Sequence, residues 1–553
     1  MELPKSLIKG IRLHPDINPD DVPDINDPEK AIHVVRWIQR YCCLTKGQWQ
    51  GKPFVLLPWA FDLVWRVFGT LRPDGTRQYE RVFILIPKKN AKTELCAALA
   101  LYGLAGDGEK GAEVISAAVN KKQAGIAFKA AAFMVEHNPN TEALRKRIKV
   151  VRSQKRMEYL PTDSEYFVTS GDSGGQQGGS PSLILFDEIH EQPDDRLWVT
   201  LTEETGAARE QQLILIPTTA GEYNPQSIYS KLRKKAEEVR RNPGIDKTFL
   251  PILYVADKEI SDHVKKKPPS WEMIRKCNPA AGQVLSRSKI MRGMGRAWPD
   301  PNKFAWESWK RYRLNIDVGS VDAWMDLRKW DRLGTLTRDV WQELEGRDCY
   351  AGLDLSEIWD MSALALVFPP VESDGKIIVL MRYWCPKDGI GKRGKTDLID
   401  YERWERDGWL TATPGGVVDE DMIQSEIEDL AGRYYIVDMG IDPYRARQLE
   451  RRLTDTGHEF CTEILNSPAN MSEPAKNLIK TVERGGLAHE GNPVVSWNWG
   501  NLTMIARGDY VKPDKQKARG RIDGAYALLL AWGRMIAGEG LENNFENIVK
   551  VIL

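Results

Sequence analysis

Three short stretches and one dispersed set of acids in this chain carry residue types suited to chemistry on phosphate. The first is Ile86-Pro87-Lys88-Lys89-Asn90-Ala91-Lys92-Thr93. Its closing Lys-Thr has the spacing of a phosphate-binding loop, although neither glycine of the usual pattern is present. With a helix starting at Lys92, the ammonium can reach the β and γ phosphates of ATP, Thr93 can ligand Mg2+, and the exposed amides of the first turn favour anions. Alone, the segment reads equally well as a surface turn with solvated lysines. The second stretch, Leu183-Ile184-Leu185-Phe186-Asp187-Glu188, is an apolar strand that ends in two acids, a Walker B pattern. Asp187 would hold Mg2+ through water while Glu188 polarises the attacking water, and that division of labour needs two carboxylates side by side. Paired acids after a strand are also common as solvated termini. Their place downstream of Lys92-Thr93 favours function.

A third stretch, Pro217-Thr218-Thr219-Ala220-Gly221, puts small hydroxyl residues at a strand end, where Thr218, Thr219 and Ala220 can sense a γ-phosphate and pass the change on. As a bare turn it means little. The fourth set is dispersed: Asp354, Asp442 and Asp523 each sit beside a strand or helix end. Brought together by a fold, such carboxylates can hold two divalent ions, one generating hydroxide and one stabilising the leaving oxygen in phosphodiester cleavage. For any one of them a turn or helix cap is the plainer reading.

The elements needed to position these groups are legible as hydrophobic patterns. Helical spacing over residues 30–43 and 58–68 is followed by a strand at Arg81–Ile86, a polar loop and a helix at Lys92–Leu104. Further apolar strands at Glu113–Ala118, Leu183–Phe186 and Gln212–Ile216 are separated by stretches long enough for crossover helices, which argues for a parallel α/β sheet. From about Asp257 to Asp339 this pattern gives way to Asn278, Pro279 and other breakers, so a connector with helical pieces is expected there. The second half opens with strands at Tyr350–Leu355, Ala363–Phe368 and Ile377–Tyr383 joined by short turns, which favours antiparallel pairing. A strand at Tyr434–Ile441 and a helix at Asp523–Met535 complete it. The expected division is residues 1–255, a P-loop ATPase domain; 256–342, a connector; and 343–553, an α/β nuclease domain.

A length of 553 residues suits two principal cores. Lys plus Arg and Asp plus Glu number 78 each, so any hold on nucleic acid has to come from local patches. Arg445 and Arg447, with Lys512 and Lys515, flank the candidate nuclease acids and are the preferred DNA contacts; most other basic runs read as solvated faces. An arginine between residues 145 and 156 is the candidate trans-acting finger. Seven cysteines lack zinc spacing and the density of a disulfide scaffold, so free thiols are expected. No stretch is long and apolar enough to span a bilayer, and a cytoplasmic protein is expected. The tryptophans of the first hundred residues read as core, Asp438 as a solvated strand residue, and His190 as satisfied or exposed.

Taken in order, Gly51-Lys52-Pro53-Phe54, Leu57-Pro58-Trp59, Pro87 to Glu94, Asp187-Glu188-Ile189-His190-Glu191 and Thr218-Thr219-Ala220-Gly221 resemble the motif series of tailed-phage large terminases. The resemblance implies that Lys88, Lys89, Asn90, Ala91, Lys92 and Thr93 form the nucleotide loop, that Asp187 and Glu188 are Walker B, and that Thr218 to Ala220 couple hydrolysis to movement. Ala91 stands where the family usually has glycine, and Ala60 where glutamine commonly contacts adenine. The order of strand-borne Asp354, then Asp442, then helix-borne Asp523 resembles the family's ribonuclease H-like nuclease domain, with Asp360 as an accessory ligand and further matches at Asn501 and Lys512 to Lys515. Implied cofactors are ATP and Mg2+, with Mn2+ also suited to the nuclease site. Implied partners are double-stranded DNA, a portal protein, a small terminase subunit and further copies of the chain in a pentameric ring, with a monomer in solution. The implied location is the host cytoplasm, docked transiently on the procapsid portal and not retained in the mature virion. Two rivals are a helicase or restriction translocase, which needs further motifs after Gly221 that the sequence does not show, and a capsid docking protein with decayed sites, towards which Ala91 alone leans.

Overall fold

Runs of Val, Ile, Leu and Phe build two separate sheets, one in each of two compact units, Met1–Val318 and Gly319–Leu553. The computed structural model describes residues 6–170, 179–192, 195–202, 209–222, 224, 227–298, 304–317, 324–356, 361–372, 375–397, 399, 401–444, 446–515, 518 and 520–552. Asp360, Arg445 and most of the Ser170–Ser180 run lie outside them.

In the first unit the strands are β1 (Arg81–Leu85), β2 (Glu113–Ala118), β3 (Ile148–Val151), β4 (Arg156–Tyr159), β5 (Ser164–Ser170), β6 (Leu183–Phe186), β7 (Leu213–Thr218) and β8 (Phe249–Leu253). Their spatial order is β3-β4-β5-β2-β6-β7-β1-β8. Pairing is parallel from β5 to β8 and antiparallel only at the β3-β4-β5 edge. Alternation along each strand feeds two cores, which is why these strands read as continuous apolar runs. Val82 and Ile84 face helices Pro28–Tyr41, Pro58–Gly69, Lys92–Ala105 and Lys121–His137, while Phe83 and Leu85 face Trp198 and helix Ile228–Arg241. Trp37, Trp59 and Trp65 are buried in the first of these cores.

Residues 258–314 form helices Lys258–His263, Trp271–Cys277, Arg287–Ala297 and Phe304–Leu314. They share a small core of Ile260, Ile274, Met294, Trp306, Trp309 and Leu314. Asp257 and Ser270 cap the first two by accepting from the amides of Ile260 and Met273. The compact unit runs on through this stretch to Val318, whereas the sequence suggests a boundary near residue 255.

The second unit contains β9 (Asp348–Asp354), β10 (Ser362–Phe368), β11 (Ile377–Pro386), β12 (Thr411–Thr413), β13 (Tyr435–Ile441), β14 (Cys461–Glu463) and β15 (Leu487–His489). The order is β12-β11-β10-β9-β13-β14, with β15 also on β11. The β9-β10-β11 meander is antiparallel, as its short turns require, and β13 lies parallel to β9. Helix Asp523–Ile552 crosses this sheet. A Cβ on Gly352 would lie 2.2 Å from the Ala527 carbonyl oxygen and 2.4 Å from the Ala531 amide, so only glycine permits that approach. A two-stranded ribbon, β16 (Met504–Arg507) with β17 (Tyr510–Pro513), precedes the helix.

Candidate active sites

In the first sheet β7 lies between β6 and β1, so the loops that follow these three strands are neighbours on one edge. That edge is the carboxyl end of parallel strands, where α/β sheets hold their ligands. The phosphate loop follows β1 and leads into helix Lys92–Ala105. Both Lys89 (φ 73°) and Ala91 (φ 66°) adopt left-handed backbone there. A β-carbon at such a position costs about 1–2 kcal/mol, which is the physical reason a glycine suits position 91. The loop is held by Asn90, a fully buried side chain that donates to the Pro87 carbonyl at 3.1 Å and accepts from the Ala280 amide at 3.0 Å.

Lys92, buried at the helix start, places Nζ 3.5 Å from Glu188 Oε1. Glu188 Oε2 accepts from both the amide and the hydroxyl of Thr219 at 3.2 Å, and His190 Nδ1 stands 3.2 Å from the same oxygen. The loop after β1, the acid after β6 and the turn after β7 are thus joined through one carboxylate. Burial raises the pKa of Asp187 far above the carboxylate range, and the charge of Glu188 adds to this. Burial pushes Glu188 the same way, but Lys92 and then His190 outweigh it and hold it ionised below its ordinary value. His190 is almost fully enclosed, its Nδ1 also 3.0 Å from the Thr218 hydroxyl. Among the described residues its Nε2 has no hydrogen-bond partner and lies 3.6 Å from Glu191 Oε1, so the ring is neither exposed nor fully satisfied, but tied to the network through Nδ1 alone. Thr93 follows Lys92 in the first helical turn, so this edge has the ammonium, hydroxyl and carboxylates that a Mg2+-nucleotide requires.

In the second sheet Asp354 ends β9, and the parallel register Ile441↔Leu353 sets Asp442 beside it at the end of β13. Asp354 is 1% exposed, so its charge needs compensation. Lys515 Nζ supplies it, lying 3.1 and 3.2 Å from the two carboxylate oxygens. Asp442 is half-buried and accepts from the Tyr444 amide. Asp523 opens the crossing helix. The Asn498 side chain accepts from the next amide, Gly524, at 3.0 Å, and Asn498 and Asn501 both donate to the Arg521 carbonyl at 3.0 Å. Asp354 and Asp442 thus end neighbouring strands, and Asp523 begins the helix that packs on the same sheet. Among the described residues no three acidic, histidine or cysteine side chains stand ready as a ligand set. The donors are nonetheless hard oxygens, one deeply buried and already cation-paired, and these suit a divalent ion.

Several expected residues have other engagements. Arg447 pairs with Glu463 at 2.8 Å, and Lys512 donates to the Asn466 carbonyl at 3.2 Å. Arg152 pairs with Glu136, and Arg156 with Glu165 at 2.9 Å. Asp438 is not a solvated strand residue: Arg534 of the crossing helix donates to it at 2.6 Å. Sequence reasoning misses Tyr383, whose buried hydroxyl lies against the Gly524 Cα, where a β-carbon would be 1.9 Å away. It also misses Arg311, Asn315 and Asp317, which hold the 218–221 turn. No motif marks them, since each acts through backbone contacts made by a distant segment.

The sequence matches two family models, "Terminase large subunit, ATPase domain" over residues 58–238 and "Terminase large subunit, endonuclease domain" over residues 249–539. The "Terminase, large subunit" of Enterobacteria phage HK97 is 28% identical over 510 residues, which cover 91% of this chain and 95% of that protein. "Protein YmfN" of Escherichia coli K12 is 29% identical over 415 residues, covering 72% of this chain and 88% of that protein. The crystal structure of the HK97 large terminase aligns with a TM-score of 0.51 at 26% identity, covering 91% of this chain and 99% of that one. With both domain types present in order, one on each active edge, the chain belongs to the terminase large subunit family.

Proposed function

We propose that the chain uses ATP hydrolysis on its first sheet to drive double-stranded viral DNA into a procapsid and cuts concatemeric DNA on its second. The observation that carries this reading is the contact of Lys92 and Thr219 with the single carboxylate of Glu188, at the edge shared by β6, β7 and β1. Lys88, Lys89, Asn90, Ala91, Lys92 and Thr93 bind the phosphates, and Thr93 and Asp187 would hold the Mg2+ that screens their charge. Lys92 exchanges its carboxylate for the β and γ phosphates. Glu188, kept ionised by its cationic neighbours, orients the attacking water and accepts its proton. Thr218, Thr219 and Ala220 sit directly behind that carboxylate and move with it.

On the second sheet Asp354, Asp442 and Asp523 would hold divalent ions, with Asp360 as an accessory ligand; bound there, such ions supply hydroxide and stabilise the leaving oxygen. Mg2+ is the proposed ion and Mn2+ a competent substitute. Lys515 then leaves Asp354 and, with Arg445, Arg447 and Lys512, neutralises DNA phosphates. The proposed assembly is a pentameric ring on the portal, recruited with the small subunit in the host cytoplasm. No helix among the described residues is long and apolar enough to cross a membrane.

Paired assays on the full chain test both roles. Lys92→Ala and Glu188→Gln should lower DNA-stimulated ATP turnover by about 100-fold or more while leaving Mg2+-dependent plasmid cleavage in place. Asp354→Asn should do the reverse. Wild-type ATP turnover in Glu188→Gln removes the motor assignment, and undiminished cleavage by Asp354→Asn removes the nuclease assignment.

A further inference from the structure

The polar contacts around the coupling turn extend beyond the nucleotide-facing loops to residues 311–317, which close helix Phe304–Leu314 and end the described part of the first unit. The backbone of Ala220 is gripped on both sides. Its amide donates to Asn315 Oδ1 at 3.0 Å, and its carbonyl accepts from Arg311 Nε at 2.8 Å. The next amide, Gly221, donates to Asp317 Oδ1 at 3.2 Å. Asp317 is itself fixed by the Tyr229 hydroxyl at 2.6 Å and by Arg233 at 2.5 Å. The same short segment also holds the phosphate loop. The Lys88 amide donates to the Tyr312 carbonyl at 3.3 Å, Arg313 donates to the Lys88 carbonyl at 3.1 Å, and Lys88 Nζ lies 3.8 Å from the centre of the Tyr312 ring.

This arrangement is rigid where it meets the turn. Asn315 is fully buried, takes the left-handed conformation (φ 51°) and donates its amide to the Tyr254 carbonyl at 2.9 Å. A β-carbon on Gly221 would lie 3.0 Å from both His190 Cβ and Tyr229 Cε1, so the turn has no slack on that side either. A displacement of Thr219 by Glu188 therefore cannot be absorbed within the turn. It must carry the Ala220 backbone with it, and through that backbone residues 311–317.

We infer that Arg311, Asn315 and Asp317 are positioning residues that read the 218–221 turn against the phosphate loop and pass the nucleotide state to the segment leading into the second unit. The contacts at Lys88 form the fixed reference and those at Ala220 and Gly221 the moving part. When phosphate takes Lys92 from Glu188, the carboxylate repartitions between Thr219 and His190, and the receiver shifts with the turn. This inference rests on the reading of residues 88–93 and 187–188 as an ATP site.

The test is hydrogen exchange on the full chain with and without a non-hydrolysable ATP analogue and Mg2+, alongside ATP kinetics. In the wild type, analogue should change protection at 86–93 and, by about tenfold or more in exchange rate, at 311–317. Arg311→Ala removes a partly exposed donor, and Asn315→Gly removes the amide while keeping the backbone conformation accessible. In both, the change at 86–93 should persist and that at 311–317 should vanish. DNA-stimulated kcat should fall about tenfold with the KM for ATP within about twofold, a split that general destabilisation does not produce. Should Asn315→Gly fail to fold, Arg311→Ala decides alone. A wild-type response at 86–93 with none at 311–317, or an Arg311→Ala protein that keeps both the distal response and full stimulation, overturns the inference while leaving the ATP site intact. No wild-type response at 86–93 overturns the ATP site and the inference together.

Discussion

Asp187 and Glu188 are adjacent, and as free residues the aspartate is the slightly stronger acid, yet their surroundings reverse that order. Burial takes Asp187 towards neutrality, whereas Lys92 and His190 keep Glu188 charged. The ion-pair partner decides which acid handles the proton. Ala91 shows the opposite economy, a side chain tolerated where it fits poorly. Its φ of 66° predicts that Ala91→Gly relieves local strain, so the thermal midpoint should hold or rise by a few degrees and the KM for ATP should not increase. A fall of more than about 2 °C would show that the methyl group is doing something the backbone angle does not reveal. His489 gives a third residue-scale expectation. Burial lowers its pKa from 6.5 to about 4, while the hydrogen bond to the Trp330 carbonyl pulls weakly the other way. The unfolded chain then binds the extra proton first, so the stability this neutral ring contributes is complete above pH 6.5 and is lost as pH falls towards about 4. Urea titrations of wild type should show that loss, about 2–3 kcal/mol. In His489→Phe the corresponding part of the slope should be missing, although the variant is less stable at neutral pH. An unchanged slope contradicts the assignment.

At the scale of elements, both candidate sites are built by strand ends, and the sequence reveals strands far better than it reveals what meets at their ends. β2 and β6 coincide with the apolar runs, and β1, β7, β9 and β13 differ by a residue or two, because strands buried on both faces leave uninterrupted hydrophobic stretches. The edge hairpin of β3 and β4 escapes notice, since a half-exposed edge strand with alternating charge resembles a loop. The acids after β6, β9 and β13 are legible as acids at boundaries. That Lys515 comes to rest on Asp354, or that Arg534 takes Asp438, is not, because each pairing spans about a hundred residues or more and depends on where the crossing helix and its preceding ribbon dock. Gly352 shows how tightly that helix docks. Gly352→Ala meets backbone atoms of residues 527 and 531 that cannot yield by rotating a side chain. It should cost about 2 kcal/mol or more in the stability of the second unit and abolish plasmid cleavage, with ATP turnover retained. A variant as stable and as active as wild type means the helix does not fix the site.

Across the whole molecule the same device appears twice: a carboxylate at the end of a central strand, made tolerable by a lysine that chemistry must later displace. On the first sheet the lysine is Lys92 at 3.5 Å from Glu188; on the second it is Lys515 at 3.1 Å from Asp354. With Lys plus Arg matched by Asp plus Glu, the molecule has no net charge to hold DNA, so on the proposed reading local displacements of this kind would govern when phosphate is engaged. The nuclease half of the account depends on Asp354, Asp442 and Asp523 sharing ions once Lys515 moves aside. Anomalous diffraction from crystals of the full chain soaked in Mn2+ tests this most directly. The account predicts metal peaks within coordination distance, roughly 2.0–2.5 Å, of Asp354 and at least one of the other two aspartates, with Lys515 withdrawn. Saturating Mn2+ that leaves no peak at this edge, with Lys515 still on Asp354, contradicts it.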